Sequence, residues 1–477
     1  MLFSSIVFLF VFFPVVLVLY YCFSFSRMLQ NILLLLASLV FYAWGEPVYV
    51  LLMITSILAN SVLAVMIERG KSGRFRKMLL AAAVTLNLST LFVFKYLGFV
   101  MESIRSEELF GIKAVSLALP IGISFFTFQA MSYVVDVYRG TVRAENPFYV
   151  GLYISFFPQL IAGPIIQYNT IADQIRNRRS DFDMFSMGIC RFVVGLGKKV
   201  LLSNCFAGIA DNVFSWSAIG TERMMVPAML AWLGSIAYTL QIYYDFSAYS
   251  DMAIGLGMCF GFEFPENFNY PYIASSVSGF WRRWHISLTN WFREYVYFPL
   301  GGSRVANQDY MVRNMLVVWL LTGIWHGANW TFLFWGLAYF IFQLAERFFE
   351  YPEKMQGRFL KHFYTLMVVN ALWVVFRADD LYQAGRFFMN MLGLNNNGFY
   401  SDMAVMLFRE NWVFFLAGVL FAMPYARDMN RILYDHPKII LHRVCTVLYP
   451  VGLMGLFIVC VSYLASGTYN PFIYFNF

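Results

Sequence analysis

Two histidines stand where the surrounding chain offers little else that can ionise. His326 lies inside the run Met315–Phe342 (MLVVWLLTGIWHGANWTFLFWGLAYFIF), which has no Asp, Glu, Lys or Arg, and His285 lies in FWRRWHISLTNWFREYVYFPL, Phe280–Leu300. An ionisable group in hydrocarbon costs roughly 2.5 to 3.5 kcal/mol for the charged types, so such a group usually faces a protein-lined cavity and has a task there. An imidazole titrates near pH ~6.5, which makes it the best proton acceptor a membrane interior can hold at neutral pH. Two imidazoles in one cavity would divide the labour, one abstracting a proton and the other orienting a reactant or steadying charge. Plainer readings stand beside this one. His326 can simply bond a neighbouring helix, and His285 can anchor an aromatic-edged helix at the interface. His362, His436 and His442 adjoin basic loops and read as solvated.

The elements that must position these groups follow from the apolar pattern. About 20 apolar residues cross a bilayer as a helix, so Met315–Phe342 is too long for one straight crossing, and Gly323 and Gly327 are where it breaks most easily. In Phe280–Leu300, Trp281, Trp284, Leu288, Trp291 and Tyr295 recur at three- and four-residue steps, while Arg283, Ser287, Asn290 and Glu294 line another face. This spacing predicts one amphipathic helix through about Tyr297. Ala228–Tyr244 and Ser247–Phe262 read as two apolar runs joined at Asp245, with Asp245 or Ser247 as an N-cap. Phe148–Tyr168 has cytoplasmic-looking charge at both ends and prolines at Pro158 and Pro164, which predicts a re-entrant hairpin. Phe182–Phe214 reads as an interfacial helix or a short crossing.

Composition sets the class. Of 477 residues 60% are hydrophobic and 13% charged, with mean hydropathy +0.62, which fits a polytopic membrane protein and no soluble domain. Long apolar runs instead of period-two alternation make it a helical bundle. Counting runs gives about ten or eleven spans plus re-entrant and interfacial pieces, in one membrane domain over residues 1–477. The first run, Leu2–Tyr21, reads as a retained span. Arg27 after the first run, with basic loops at Glu68–Lys77 and at Arg427–Arg443, places both chain ends outside the cytoplasm by the positive-inside rule. The net charge of +7 belongs to those loops and not to a nucleic-acid surface. Six scattered cysteines show no metal-ligand spacing, and no phosphate-binding Gly loop is present. No metal is expected.

The segments LPIGISFFTFQAMSYVVDVYRG, FFPQLIAGPI, YYDFSAYSDMAIGLG, FWRRWHISLTNWFREYVYFPLGGSR, TGIWHGANWTFLFWG and the terminal FIYFNF together resemble the membrane-bound O-acyltransferase superfamily. Specifically, they are similar to its bacterial polysaccharide branch: alginate O-acetylase, peptidoglycan O-acetyltransferase and, more distantly, teichoic-acid D-alanyl transferase. The resemblance implies an all-α transmembrane bundle around a funnel, with His326 as the superfamily's near-invariant histidine and His285 as the second motif histidine. It implies acetyl-CoA as a cytoplasmic donor and, as partner, a periplasmic or membrane-anchored esterase-like protein of the SGNH type. An exported polysaccharide such as alginate would be acetylated at the bacterial inner membrane. Within that reading His326 is the base, with His285, Trp325 and Asn329 as candidate donors and Asn290 as a supporting polar group. Tyr474 in FIYFNF is either an interfacial anchor or, as similar C-terminal motifs suggest, the oxygen that carries the acyl group onward.

Other classes remain in view. A lipid or protein O-acyltransferase would use the same chemistry on a longer acyl chain. A secondary transporter could also hold an intramembrane histidine, but it would be expected to show related pairs of broken helices, and the sequence shows one break.

Overall fold

In the computed structural model the described residues are all but 116, 219–225, 306, 353, 397, 426, 429–439, 468 and 474–477, and the side chains of 110 and 440–446 are likewise outside the description. Among the described residues the regular elements are helices, with no strand. Among the described residues eight helices are long and apolar enough to cross a membrane: Arg27–Gly45, Tyr49–Arg69, Gly73–Ser103, Phe182–Ser217, Trp330–Phe349, Arg358–Arg377, Asp402–Phe421 and Val447–Ala465. Phe8–Cys22 is a shorter apolar helix. The all-α membrane class expected from the sequence holds. Two further features concern particular runs. The Phe148–Tyr168 run is interrupted into Pro147–Ser155 and Phe157–Leu160, and the runs on either side of Asp245 are one continuous helix, Ala228–Cys259.

The chain divides into two compact units, residues 1–192 with 249–266, and residues 193–248 with 267–477. In the first unit Arg178, 4% exposed, ties distant segments together. Its Nε donates to Tyr20 Oη and to the Phe260 carbonyl, both at 3.0 Å, its Nη1 donates to Asn31 Oδ1 at 2.7 Å, and its guanidinium lies over the Phe262 ring. Here neutral acceptors and a π face hold a buried cation. Asn60 and Asn87 exchange amide hydrogen bonds between two spans at 2.7 and 3.2 Å. Such pairing lets polar side chains sit between helices without an unsatisfied group.

The second unit holds both motif histidines. The Met315–Phe342 run breaks where the glycines suggested: a helix Gln308–His326 ends at extended Gly327, and a second helix, Trp330–Phe349, follows. Gly323 and Gly336 allow the two to approach, since a Cβ at either would come within 2.5 Å of the Phe332 or Trp319 carbonyl oxygen. Within Phe182–Ser217, residues Lys198–Ser203 form a π-helical turn. Such a turn inserts one extra residue and re-aims the side chains around it.

Candidate active site

His326 is the last residue of its helix, and Asn329 starts the next one by accepting the Thr331 N–H at 3.1 Å. The Asn329 amide also donates to the Asp379 carbonyl at 2.7 Å. Its side chain is therefore committed to capping the turn. The His326 imidazole is 5% exposed. Three rings meet it nearly edge to face: Trp325 at 5.0 Å, Trp335 at 5.0 Å and Phe376 at 5.2 Å. This packing geometry favours aromatic pairs and fixes the orientation of the ring.

The stretch around His285 departs from the single amphipathic helix that its spacing predicts. A short helix, Val277–Trp281, stops, His285 takes a left-handed backbone conformation with φ 45°, and a new helix, Ile286–Phe292, begins. Two groups stabilise this break. The Glu346 carboxylate accepts the Val277 and Ser278 N–H groups at the start of the first helix. At the second, the Asn267 carbonyl accepts the Ile286 N–H at 3.0 Å, and Asn267 Oδ1 accepts the Ser287 N–H at 3.2 Å and the Ser287 hydroxyl at 2.9 Å. Trp281 then packs with Trp319, Trp335 and Tyr339, while Trp284 packs with Phe268, Phe280 and Trp373. Phe280 touches both tryptophans, and Trp335 stacks on Trp373, so the two sets of rings are continuous. Helical spacing in the sequence concealed the turn because the left-handed residue is not glycine.

His285 is fully buried. Its Nδ1 lies 3.2 Å from Asn267 Oδ1, and the Phe246 ring meets it at 4.6 Å and 89°. Trp325 stands 5.9 Å from His285 and 5.0 Å from His326, so one indole touches both imidazoles. Burial pushes the His285 pKa well below the usual imidazole range, and the neighbouring His326 adds to that effect. The structure thus brings together His285, His326 and Trp325. Asn290 is half-buried on the helix after His285, and Tyr474 lies outside the described residues.

Sequence reasoning missed two groups at the edge of this region. Asp245 is an interior residue of its helix and not an N-cap, because no break separates the two apolar runs. It forms an ion pair with Lys199 at 2.6 Å, the two side chains being 1% and 3% exposed. Ser203 adds a hydrogen bond to Asp245 at 3.2 Å. The signal available was an acid, Asp245, in one apolar stretch and a base, Lys199, in another, since charges at membrane depth pair with one another.

The pair also binds the C-terminal segment. Asp245 Oδ2 accepts the Ile473 N–H at 2.8 Å, and Lys199 Nζ donates to the Pro471 carbonyl. Asn204 donates to Asn470 at 3.2 Å, and Tyr469 donates its hydroxyl to Asp211 at 2.9 Å. Asp211 is held from its other side by Arg377 at 2.7 Å. Residues 469–473 therefore run along the helix that carries Lys199, Asn204 and Asp211.

The family model of membrane-bound O-acyltransferases matches residues 142–376, which include both motif histidines. The chain is 36% identical to a probable alginate O-acetylase of Pseudomonas putida, over the whole of both chains. It is 37% identical to a probable alginate O-acetylase of Azotobacter vinelandii, again over the whole of both. It is also 33% identical to a peptidoglycan O-acetyltransferase of Helicobacter pylori, over 83% of this chain and 80% of that one.

Proposed function

This chain belongs to the membrane-bound O-acyltransferase family and is a multi-pass membrane O-acetyltransferase, and we propose that it moves acetyl groups from cytoplasmic acetyl-CoA to an exported polysaccharide of the alginate type. The observation that carries this reading is the buried pair His285 and His326, joined by Trp325, in a chain that aligns end to end with proteins named for alginate acetylation.

The chemistry asked of the site is transfer from a thioester to an alcohol. His326 takes the hydroxyl proton as the alcohol oxygen attacks the acetyl carbonyl, the C–S bond breaks, and the departing thiolate takes up that proton. The products are an acetyl ester and free thiol. The aromatic rings around His326 exclude water, so the thioester meets the intended alcohol in preference to hydrolysis. Trp325, which packs against both imidazoles, supports a reading in which its indole N–H steadies the developing oxyanion, where a fixed donor contributes most in a water-poor site.

The anchored C-terminal segment supports Tyr474 as the first acceptor, one residue beyond Ile473. In that relay an SGNH-type periplasmic or membrane-anchored partner takes the acetyl group from Tyr474 and delivers it to the glycan. Both chain ends lie on the outer face of the inner membrane in this arrangement. The test is mass spectrometry of acetyl esters on the host's surface glycans with and without the protein. Loss of ester from uronic-acid polymer supports the proposal. Loss confined to muropeptides favours the peptidoglycan reading that the Helicobacter relative suggests. Faster consumption of palmitoyl-CoA than of acetyl-CoA by the purified protein overturns both.

A further inference from the structure

The two imidazoles are not equivalent, and Asn267 is the reason. Asn267 Oδ1 accepts from the Ser287 backbone N–H at 3.2 Å. A peptide N–H can only donate, so the atom facing it must be the amide oxygen and not the amide nitrogen; the orientation of the Asn267 side chain is thereby set by chemistry. The Ser287 hydroxyl, at 2.9 Å, donates to that same oxygen. His285 Nδ1 lies 3.2 Å away from it. An amide oxygen has no hydrogen to give, so a hydrogen bond between the two requires that the proton sit on Nδ1.

We propose that Asn267 is a positioning residue that holds His285 as the Nδ1–H tautomer and turns its Nε2 into a hydrogen-bond acceptor inside the transfer site. His285 Nε2 is buried and has no hydrogen-bond partner among the described residues, which costs free energy unless a reactant supplies one. In this tautomer Nε2 offers a lone pair and no proton. It can receive a hydrogen bond from the O–H that is to be acylated, or a proton from a protonated His326, and it cannot steady an oxyanion. That assignment removes one of the two roles open to a second histidine, and leaves oxyanion stabilisation to other donors such as the Trp325 indole.

The surroundings favour a neutral ring. Phe246, Trp325, Asn267 and Ser287 pack against or bond to the region and carry no charge, and His326 is the titratable group whose interaction with His285 is resolved. The same Asn267 also receives the first two N–H groups of the helix Ile286–Phe292, through its carbonyl and its amide oxygen. One residue therefore caps the helix and selects the tautomer.

The role of Nε2 rests on the acyl-transfer reading, but the tautomer does not, and the experiment separates them. The full-length protein is labelled with ¹⁵N-histidine in nanodiscs, and its five histidines give a spectrum simple enough to assign with His285→Gln. The expected result at neutral pH is a protonated Nδ1 and a bare Nε2 at His285, with that preference lost in Asn267→Ala. A protonated Nε2 in the wild-type protein overturns the proposal even if acetyl transfer is normal. The second arm uses Asn267→Asp, which keeps every acceptor and adds a charge. A carboxylate beside the ring should raise its proton affinity and move the acidic limb of the acetyl-transfer pH profile up by about one to three pH units, with the rate recovering at alkaline pH. A profile that superimposes on the wild type overturns the positioning role.

Discussion

An imidazole walled by Trp325, Trp335 and Phe376 is already oriented before a reactant arrives, which is the condition for an efficient proton acceptor. Replacing His326 by Gln should lower acetyl transfer by about 10² to 10⁴-fold with expression unchanged, measured as thiol release by the purified protein. Retention of the wild-type rate would exclude His326 as the base. A second consequence concerns acid. The folded state holds His285 neutral below the usual imidazole range, so as pH falls below about 6.5 the unfolded chain binds a proton that the folded one refuses. Stability from this group is complete above that value and declines as the pH drops toward the folded pKa. Thermal unfolding in detergent should show the decline, and His285→Gln should flatten it; equal slopes in the two proteins would rule the account out. The two histidines could be singled out in the sequence, His326 by its apolar run and His285 by its place in a Trp- and Arg-rich amphipathic stretch. Asn267 was not, because it sits in a Pro/Asn-rich loop whose composition signals a turn and says nothing of what the amide faces.

At the level of elements, the hairpin that carries His326 depends on two small residues. Gly336→Val should press a side chain against the Trp319 carbonyl and prise the two helices apart, reducing transfer by displacing His326 and lowering the unfolding temperature together. A variant that keeps its stability while losing activity would point elsewhere. The break at Gly327 could be read from sequence, since the run exceeds one crossing and glycine tolerates the turn. The continuity of Ala228–Cys259 could not, because Asp245 in an apolar stretch looks like a cap until its partner, 46 residues earlier, is seen. Asp245→Ala should cost about 3 to 5 kcal/mol by leaving the Lys199 ammonium buried alone, whereas Lys199→Met combined with Asp245→Leu should recover much of it. Chemical or thermal unfolding of the single and double variants distinguishes these outcomes.

For the molecule as a whole, membership of the acyltransferase family and a tail secured beside the buried ion pair argue for one route of acetyl export. Tyr474→Phe keeps an aromatic anchor and removes the hydroxyl; it should abolish glycan acetylation while thiol release in the absence of partner changes only in its first turnover, as followed by rapid-quench kinetics. Unchanged glycan acetylation would eliminate the relay. The fold class was legible from hydropathy alone, whereas the fusion of two apolar runs into Ala228–Cys259 cannot be judged by length. The widened turn at Lys198–Ser203 has its own corollary. Lys199 within it holds Pro471, while Asn204 and Asp211 beyond it hold Asn470 and Tyr469. Forcing the same residues into ordinary helical winding without removing one would swing one group of anchors by up to about 100° relative to the other, so that residues 469–473 could be moored at one end or the other but no longer at both.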